Sequence, residues 1–270
     1  MNITFIGGGN MASALIGGLI KQGFKGASIC VVDISPENLQ SLHARYQVQT
    51  FAELGSASAA SDVIVLAVKP QQLHGVAATL APLLQQQLVI SIAAGVRAND
   101  LSRWLGGYRQ LVRTMPNTPA MVSSGMTGLY ALPEVTTAQR EQAATVLQAV
   151  GSTLWLEEES QMDAVTAVSG SGPAYVFYFM EAMQAAATEL GFSPQQARTL
   201  TLETFLGAAR LAAQSDEDAA TLRARVTSKG GTTERALGTM EDAGIKASIV
   251  QAIHAAAVRS RELGDALGKE

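Results

Sequence analysis

Cysteine and charge are both scarce in this chain of 270 residues. Its single cysteine, Cys30, excludes an internal disulfide and a metal site built from paired thiolates, and it favours a reducing, cytoplasmic location. Charged residues make up 16% of the chain, against roughly 25% in an average soluble domain. The formal net charge is −4 and there is no long basic run. Nucleic acid and the membrane surface are therefore not expected as partners.

Apolar runs suited to a membrane are also missing. Residues 70–96 carry no formal charge, but Pro82 and several glutamines interrupt them, which a helix facing lipid would not tolerate. Residues 3–19 are apolar, yet they lack a charged leading region and contain three consecutive glycines. We therefore expect neither a membrane span nor a signal peptide.

Groups for acid–base, nucleophilic or metal chemistry are few. None of the three histidines, His43, His74 and His254, lies in a glycine-rich loop, so we expect them on helices or at the surface. No Ser/His/Asp or Cys/His arrangement and no metal-ligand spacing is present, and the three glutamates at 157–159 are expected to form a solvated run. Reduction of a ketone normally needs a positioned acid. A protonated cyclic imine is already an electrophile, so this class of substrate needs no such acid.

The first half of the chain alternates short apolar strands with helices, which predicts a parallel sheet with right-handed crossovers. From residue 162 onward the chain is almost wholly helical in pattern and rich in alanine. The expected fold class is therefore α/β, with a Rossmann-like doubly wound sheet in residues 1–156 followed by an all-α domain in residues 157–270. Strands are expected at residues 2–6, 28–32, 62–68, 88–93, 108–114, 128–132 and 153–156.

A glycine-rich turn follows the first predicted strand and opens the first helix. Gly7, Gly9 and Ala12 satisfy the Gly-x-Gly-x-x-Gly/Ala pattern of a dinucleotide site. The first glycine permits a tight turn, the second lets a pyrophosphate approach the backbone, and the free amides at the helix start hold the anion. The alternative is a plain strand–helix connection that binds nothing.

Asp33 ends the second predicted strand, where a carboxylate normally accepts a hydrogen bond from the ribose 2′-hydroxyl of NAD and repels the 2′-phosphate of NADP. On this interpretation Asp33→Ala raises efficiency with NADPH relative to NADH. Ser35 could donate to such a phosphate, but no arginine stands nearby. The alternative is that Asp33 only caps a loop.

Three further segments are candidates for ligand contacts. Lys69 and residues 93–95 follow buried strands, at the sheet edge where ligands bind in doubly wound folds; Lys69 could also be an ordinary solvated lysine. Asn117 lies between two prolines, in a segment that could equally be a rigid turn. Residues 229–234, Lys-Gly-Gly-Thr-Thr-Glu, offer free amides and hydroxyls for a carboxylate, or form an ordinary turn between helices with a threonine N-cap.

Taken together, these motifs resemble the pyrroline-5-carboxylate reductase family along essentially the whole chain. The resemblance is carried by residues 5–12, 67–71, 91–96, 113–119, 164–175 and 226–233. It implies reduction of the cyclic imine 1-pyrroline-5-carboxylate to L-proline by NADPH, with NADH also possible. It also implies a homodimer built by the helical domain, often assembled into a decamer. Lys229 departs from the family pattern, since many members have proline there.

The resemblance also implies roles for individual residues. Thr233 is the expected catalytic residue, donating its hydroxyl near the imine nitrogen. The substrate pocket would be formed by Ser169, Gly170, Ser171, Gly230, Gly231 and Thr232. The cofactor would contact Ile6, Gly7, Gly8, Gly9, Asn10, Met11, Asp33, Ser35, Ala67, Val68, Lys69, Pro70, Ala93, Ala94, Gly95 and Asn117. Two alternatives stay open here: a β-hydroxyacid dehydrogenase-like enzyme, disfavoured because no lysine occurs between Lys69 and Lys229, and a dinucleotide-binding module without catalysis.

Overall fold

An eight-stranded sheet organises the first part of the chain in the computed structural model, which describes residues 1–55 and 61–269. The strand order is β3-β2-β1-β4-β5-β6-β7-β8. Consecutive strands on either side of β1 wind in opposite directions, which confirms the doubly wound architecture. The strands are β1 (Ile3–Ile6), β2 (Ile29–Val32), β3 (Gln49–Phe51), β4 (Val63–Leu66), β5 (Leu88–Ser91), β6 (Leu111–Met115), β7 (Gly125–Ala131) and β8 (Gly151–Trp155).

Strand direction departs from the predicted parallel sheet at one edge. Strands β1 to β6 pair in parallel, but β7 runs antiparallel to β6, and β8 is parallel to β7. Only a short 3₁₀ helix, Thr118–Val122, separates β6 from β7. A connection that short cannot carry the chain back for a parallel crossover. Strand β3 was not predicted, because it consists of three partly exposed residues, too few to show a hydrophobic periodicity.

Helices cover both faces of the sheet and enclose two apolar cores. Alternate residues of each strand point to opposite faces, so Phe5 joins one core and Ile6 the other. Burial of each such large side chain stabilises the fold by about 1.5–3 kcal/mol. Helices α1 (Asn10–Lys21), α2 (Pro36–Tyr46) and α5 (Thr137–Gln148) pack on the first face, and α3 (Pro70–Leu80) and α4 (Ala98–Trp104) on the second.

The rest of the chain is helical, as predicted, and within the described residues no strand follows Trp155. A single π-helical turn, Thr166–Gly170, lies directly between α6 and α7. The helices are α6 (Gln161–Val165), α7 (Gly172–Glu189), α8 (Pro194–Ala213), α9 (Ala219–Arg225), α10 (Thr232–Asp242) and α11 (Ile245–Leu267). Over residues 1–55 and 61–269, no helix has the length and apolar character to span a membrane.

The chain forms two compact units. One contains Met1–Ser171 together with Ala256–Glu270, and the other contains Gly172–Ala255. The last strand ends at Trp155, close to the predicted end of the dinucleotide-binding part. The functional boundary at residue 156 stays a prediction.

The glutamate run at 157–159 is not fully solvated, which corrects the expectation for Glu159. Its carboxylate accepts hydrogen bonds from Arg113 Nη1 at 2.8 Å and from the amide of Ala98 at 2.6 Å. Arg113 is buried in β6, and Ala98 begins α4 without a side-chain cap. A buried guanidinium and an open helix start both require an anionic acceptor, and Glu159 supplies it.

Candidate active site

The glycine turn after β1 can be formed only by glycine at its first position. Gly7 has φ +101°, and its amide donates to the carbonyl of Val32 at 2.8 Å. A Cβ at Gly7 would lie 2.5 Å from the carbonyl oxygen of Ala67. The turn is therefore held tightly against the ends of β2 and β4, and a side chain there would force the strands apart.

Gly9 is exposed at the surface, whereas Gly7 is buried. A Cβ at Gly9 would meet no atom within 4 Å, and Gly9 and Asn10 are exposed. Gly9 is the N-cap of α1 and offers no side chain to cap it, and among the described residues no side chain accepts a hydrogen bond from the amides of the first turn. These amides can hold a phosphate, because the helix start carries partial positive charge and unpaired N–H groups. The turn fits the pyrophosphate of a dinucleotide.

Asp33 directs its carboxylate toward the glycine turn. Oδ2 accepts from the amide of Gly8 at 2.5 Å and from Asn38 Nδ2 at 3.3 Å, and Oδ1 accepts from the amide of Ser35 at 2.8 Å. An aspartate that caps a loop forms bonds of this kind, so the structure agrees with the alternative interpretation that Asp33 caps a loop. The role of Asp33 at a ribose stays a prediction.

Ser35 is the N-cap of α2, as its place before Pro36 predicts. Its hydroxyl accepts from the amide of Asn38 at 3.2 Å and donates to Glu37 Oε2 at 2.8 Å. The pKa of Glu37 lies below its ordinary value because its own backbone amide and the Ser35 hydroxyl donate to the carboxylate. Glu37 was not among the predicted site residues, and its only signal was its place in the first turn of α2.

The loops after β1, β4 and β5 lie side by side at the carboxyl edge of the sheet. Ala67 N donates to Ile6 O at 2.7 Å, and Ile92 N donates to Leu66 O at 3.2 Å. The predicted cofactor residues 6–11, 67–70 and 93–95 are therefore brought together. Lys69 is exposed at the start of α3. Gly95 has φ +80°, and its Cβ would lie 3.0 Å from a methyl carbon of Leu267.

Asn117 and the segment 169–171 also meet near this edge. Asn117 Nδ2 donates to the carbonyl of Ser169 at 3.0 Å. Gly170 packs against the end of β6, where its Cβ would be 2.7 Å from Met115 Cε. The hydroxyl of Ser169 donates to Val165 O at 3.0 Å, within its own helix.

The turn at residues 229–233 belongs to the other compact unit. Gly230 has φ +74°, and its amide donates to Glu234 Oε2 at 2.6 Å. The N-cap of α10 is Gly231, so the alternative of a threonine N-cap is wrong, because Thr232 and Thr233 are already helical. No described residue forms a hydrogen bond with the hydroxyl of Thr233, which leaves that donor available to a ligand. The amide of Gly231 donates to Ser228 O at 3.0 Å. The prediction of free amides in this turn is therefore wrong for Gly230 and Gly231, and the contact with Glu234 was not predicted.

Elsewhere in the described residues, few side chains are placed to act as an acid, a base, a nucleophile or a metal ligand. His43, His74 and His254 are exposed on helices, as expected. Burial raises the pKa of Cys30 to about 11, so its thiol is protonated at neutral pH and is a poor nucleophile. Within residues 1–55 and 61–269, no group of His, Cys, Asp or Glu could hold a metal ion.

Two family models match the chain. The model described as pyrroline-5-carboxylate reductase dimerisation matches residues 159–263. The model described as NADP oxidoreductase coenzyme F420-dependent matches residues 2–95. The second match contains the glycine turn, and the first contains the π-helical turn and the turn before α10.

Individual relatives match over nearly the full length. The pyrroline-5-carboxylate reductase of Pseudomonas aeruginosa is 48% identical and covers 99% of this chain and 98% of its own. That of Haemophilus influenzae is 41% identical, covering 97% of each chain. The solved pyrroline-5-carboxylate reductase of Coxiella burnetii superposes with a TM-score of 0.93 at 42% identity, covering 97% of this chain and 98% of its own. The Plasmodium falciparum enzyme, solved with NADP bound, gives a TM-score of 0.87 at 28% identity and covers 98% of each chain.

Proposed function

Because the chain belongs to the pyrroline-5-carboxylate reductase family and reduces 1-pyrroline-5-carboxylate to proline with a nicotinamide dinucleotide, we propose a role in that reaction for each part of its site. The observation that carries the proposal is the open start of α1 at Gly9, beside an enclosed Gly7. The first admits a pyrophosphate, and the second fixes the turn that presents the amides.

The cofactor is held by the loops at the carboxyl edge of the sheet. Residues 6–11 take the pyrophosphate, residues 67–70 the neighbouring ribose, and residues 93–95 the nicotinamide side. Asp33 and Ser35 stand at the adenosine end. The hydrogen bonds that join these loops support a shared cofactor site, because they bring all three segments to one edge.

The imine is oriented by segments 169–171 and 230–233. When bound, the reduced nicotinamide supplies the hydride. Segment 230–232 binds the carboxylate of the imine. The amides of Gly230 and Gly231 already donate to Glu234 Oε2 and Ser228 O, so the amide of Thr232, in the first turn of α10, is the donor proposed for the carboxylate. The hydroxyl of Thr233 forms a hydrogen bond at the imine nitrogen. The hydride goes to carbon, and no protein acid is required at nitrogen because the protonated imine already carries its proton there.

Thr233 variants test this assignment. A hydrogen bond to a charged group contributes roughly 1.5–3 kcal/mol, so Thr233→Ala should lower kcat/KM for the imine roughly 10- to 150-fold. Thr233→Ser keeps the donor and should retain most activity, whereas Thr233→Val should behave like alanine. Thr239→Ala, an exposed threonine of the same helix, is the matched control. Steady-state loss of NADPH absorbance measures all four; an active valine variant with an inactive serine variant would refute a role for the hydroxyl.

NADPH is proposed as the preferred cofactor, with NADH also accepted. The NADP bound to the Plasmodium falciparum relative supports this. The hydrogen bonds of Asp33 to the amides of Gly8 and Ser35 also support it, because they direct the carboxylate into the protein rather than toward a ribose. The ratio of kcat/KM for the two cofactors tests the preference, and a ratio in favour of NADH would contradict it.

We assign dimer formation to the helical segment 159–263, with further assembly into a decamer, in the cytoplasm. The matched dimerisation model supports oligomerisation. The unit Gly172–Ala255 adds exposed apolar side chains, including Phe177 and Tyr178, and a cavity of about 700 Å³ lined by α7, α10 and α11. Sedimentation at assay concentrations tests this; active monomers would overturn it.

A further inference from the structure

The π-helical turn Thr166–Gly170 is pressed against the sheet. Its characteristic bond runs from the amide of Ser171 to the carbonyl of Thr166 at 2.8 Å. Gly170 lies close to Met115: a Cβ there would be 2.7 Å from Met115 Cε, so the methionine side chain would have to shift. A π-turn inside a helix is rare and is found most often at functional sites, because it displaces backbone groups from their helical partners.

The carbonyl of Ser169 lacks its usual helical donor for a reason visible in the sequence. In an α-helix that donor would be the amide of the fourth following residue, which is Pro173 and has no N–H. Asn117 Nδ2 occupies the place of this donor, at 3.0 Å from the carbonyl oxygen. A carbonyl in a partly buried position would otherwise carry the penalty of an unpaired polar group.

Asn117 is fixed at both ends of its amide. It stands at the N-cap of the 3₁₀ helix Thr118–Val122, yet its side chain does not cap that helix. Its Oδ1 accepts from the amide of Met126 in β7 at 2.9 Å, and the side chain is buried. Exchanging Oδ1 and Nδ2 would set donor against donor at Met126 and acceptor against acceptor at Ser169, so only one orientation satisfies both.

We propose that Asn117 is a positioning residue for imine binding: its amide holds the Ser169 carbonyl and thereby sets the place of segment 169–171. It acts through that segment and not by contact with the nicotinamide. The inference rests on the proposed role of segment 169–171 in holding the imine. It assigns to Asn117 a function different from the one that the family resemblance implies.

Two substitutions separate these roles. Asn117→Asp keeps an acceptor for Met126 but turns an acceptor toward the Ser169 carbonyl, and Asn117→Ala removes both bonds. Asn99→Ala, an exposed asparagine of α4, is the matched control. For each variant, NADPH affinity is measured by fluorescence titration, the kinetic constants for the imine by steady-state assay, and amide exchange of residues 160–172 by mass spectrometry. All measurements use the full chain.

We expect both Asn117 variants to raise KM for the imine about tenfold or more and to leave the Kd for NADPH within about twofold. Exchange in residues 160–172 should accelerate, whereas exchange in residues 7–12 should not. Loss of NADPH affinity with an unchanged imine KM would overturn the inference in favour of a cofactor contact. Unchanged amide exchange in residues 160–172 would also overturn the inference, because the position of segment 169–171 would then not depend on Asn117. Faster exchange with an unchanged imine KM would instead refute the proposed substrate role of segment 169–171, and the inference with it.

Discussion

Replacement of Asp33 distinguishes a residue that supports the glycine turn from one that selects the cofactor by its charge. In the structure the Asp33 carboxylate accepts bonds from the amides of Gly8 and Ser35 and from the side chain of Asn38. Asp33→Ala removes both carboxylate oxygens and with them all three hydrogen bonds. The Gly8 amide then loses its partner in the turn proposed to bind the pyrophosphate. The turn should become less ordered, and binding of NADPH and of NADH should both weaken, because both cofactors contain the pyrophosphate.

The size of the effect follows from the Gly8 bond. A hydrogen bond to a charged group contributes roughly 1.5–3 kcal/mol, which corresponds to roughly a 10- to 150-fold loss of affinity if the turn must be reordered on binding. Since the loss lies at the shared pyrophosphate, Kd should rise for NADPH and NADH alike. The ratio of the two Kd values should change by far less than either value.

Fluorescence titration of the Asp33→Ala variant with each cofactor measures both quantities. Asn2→Ala is a suitable control, because Asn2 is an exposed residue preceding β1. A gain in NADPH affinity with NADH affinity unchanged would refute the reasoning. That result would mean that the carboxylate faces the ribose, as the sequence alone predicts.

Two other substitutions test neighbouring features. Glu37→Gln should raise the kcat/KM ratio of NADPH to NADH a few-fold, because it removes a negative charge that engages the Ser35 hydroxyl; an unchanged ratio in steady-state assays would show that Glu37 points away from the bound ribose. Gly7→Ala should weaken the binding of both cofactors at least about tenfold and lower the Tm of the protein. Gly7 has φ +101°, and a Cβ there would lie 2.5 Å from the carbonyl oxygen of Ala67. Wild-type affinity in calorimetric titration would contradict the close approach.

Local patterns were enough to predict the glycine turn and the buried strands. Gly7 and Gly9 are recognisable because their roles depend on the absence of a side chain within one strand–turn–helix unit. The apolar runs of β4 and β5 are recognisable because both faces of these strands are covered. Such features are set by residues that are neighbours in sequence.

Contacts between distant residues could not be predicted in the same way. The direction of β7 depends on a short connection whose path no residue pattern determines. Glu159 was expected in solvent, because nothing in a run of three glutamates indicates that one carboxylate meets Arg113 and the amide of Ala98. The orientation of Asp33 likewise depends on Gly8, which is 25 residues away along the chain.

Three long-range contacts in the structure are alike in that a polar side chain bonds to the backbone of a distant loop. Asp33, Asn117 and Glu159 each satisfy a backbone group at the edge of a site loop: the amide of Gly8, the carbonyl of Ser169 and the amide of Ala98. Their polar atoms bond to backbone groups of the protein, so these side chains hold the loops in place.

A site of this kind suits reduction of an imine. The substrate needs orientation and a bound carboxylate, both of which amides and a hydroxyl can supply, and it needs no side chain to protonate the nitrogen, because the protonated imine already carries that proton. The polar side chains of the loops are therefore free to serve as supports. A ketone substrate would require one of them to face the reacting atoms as an acid. If Asp33 or Glu159 served as that acid, it would be lost as a loop support, and the amide it holds, of Gly8 or of Ala98, would need another partner.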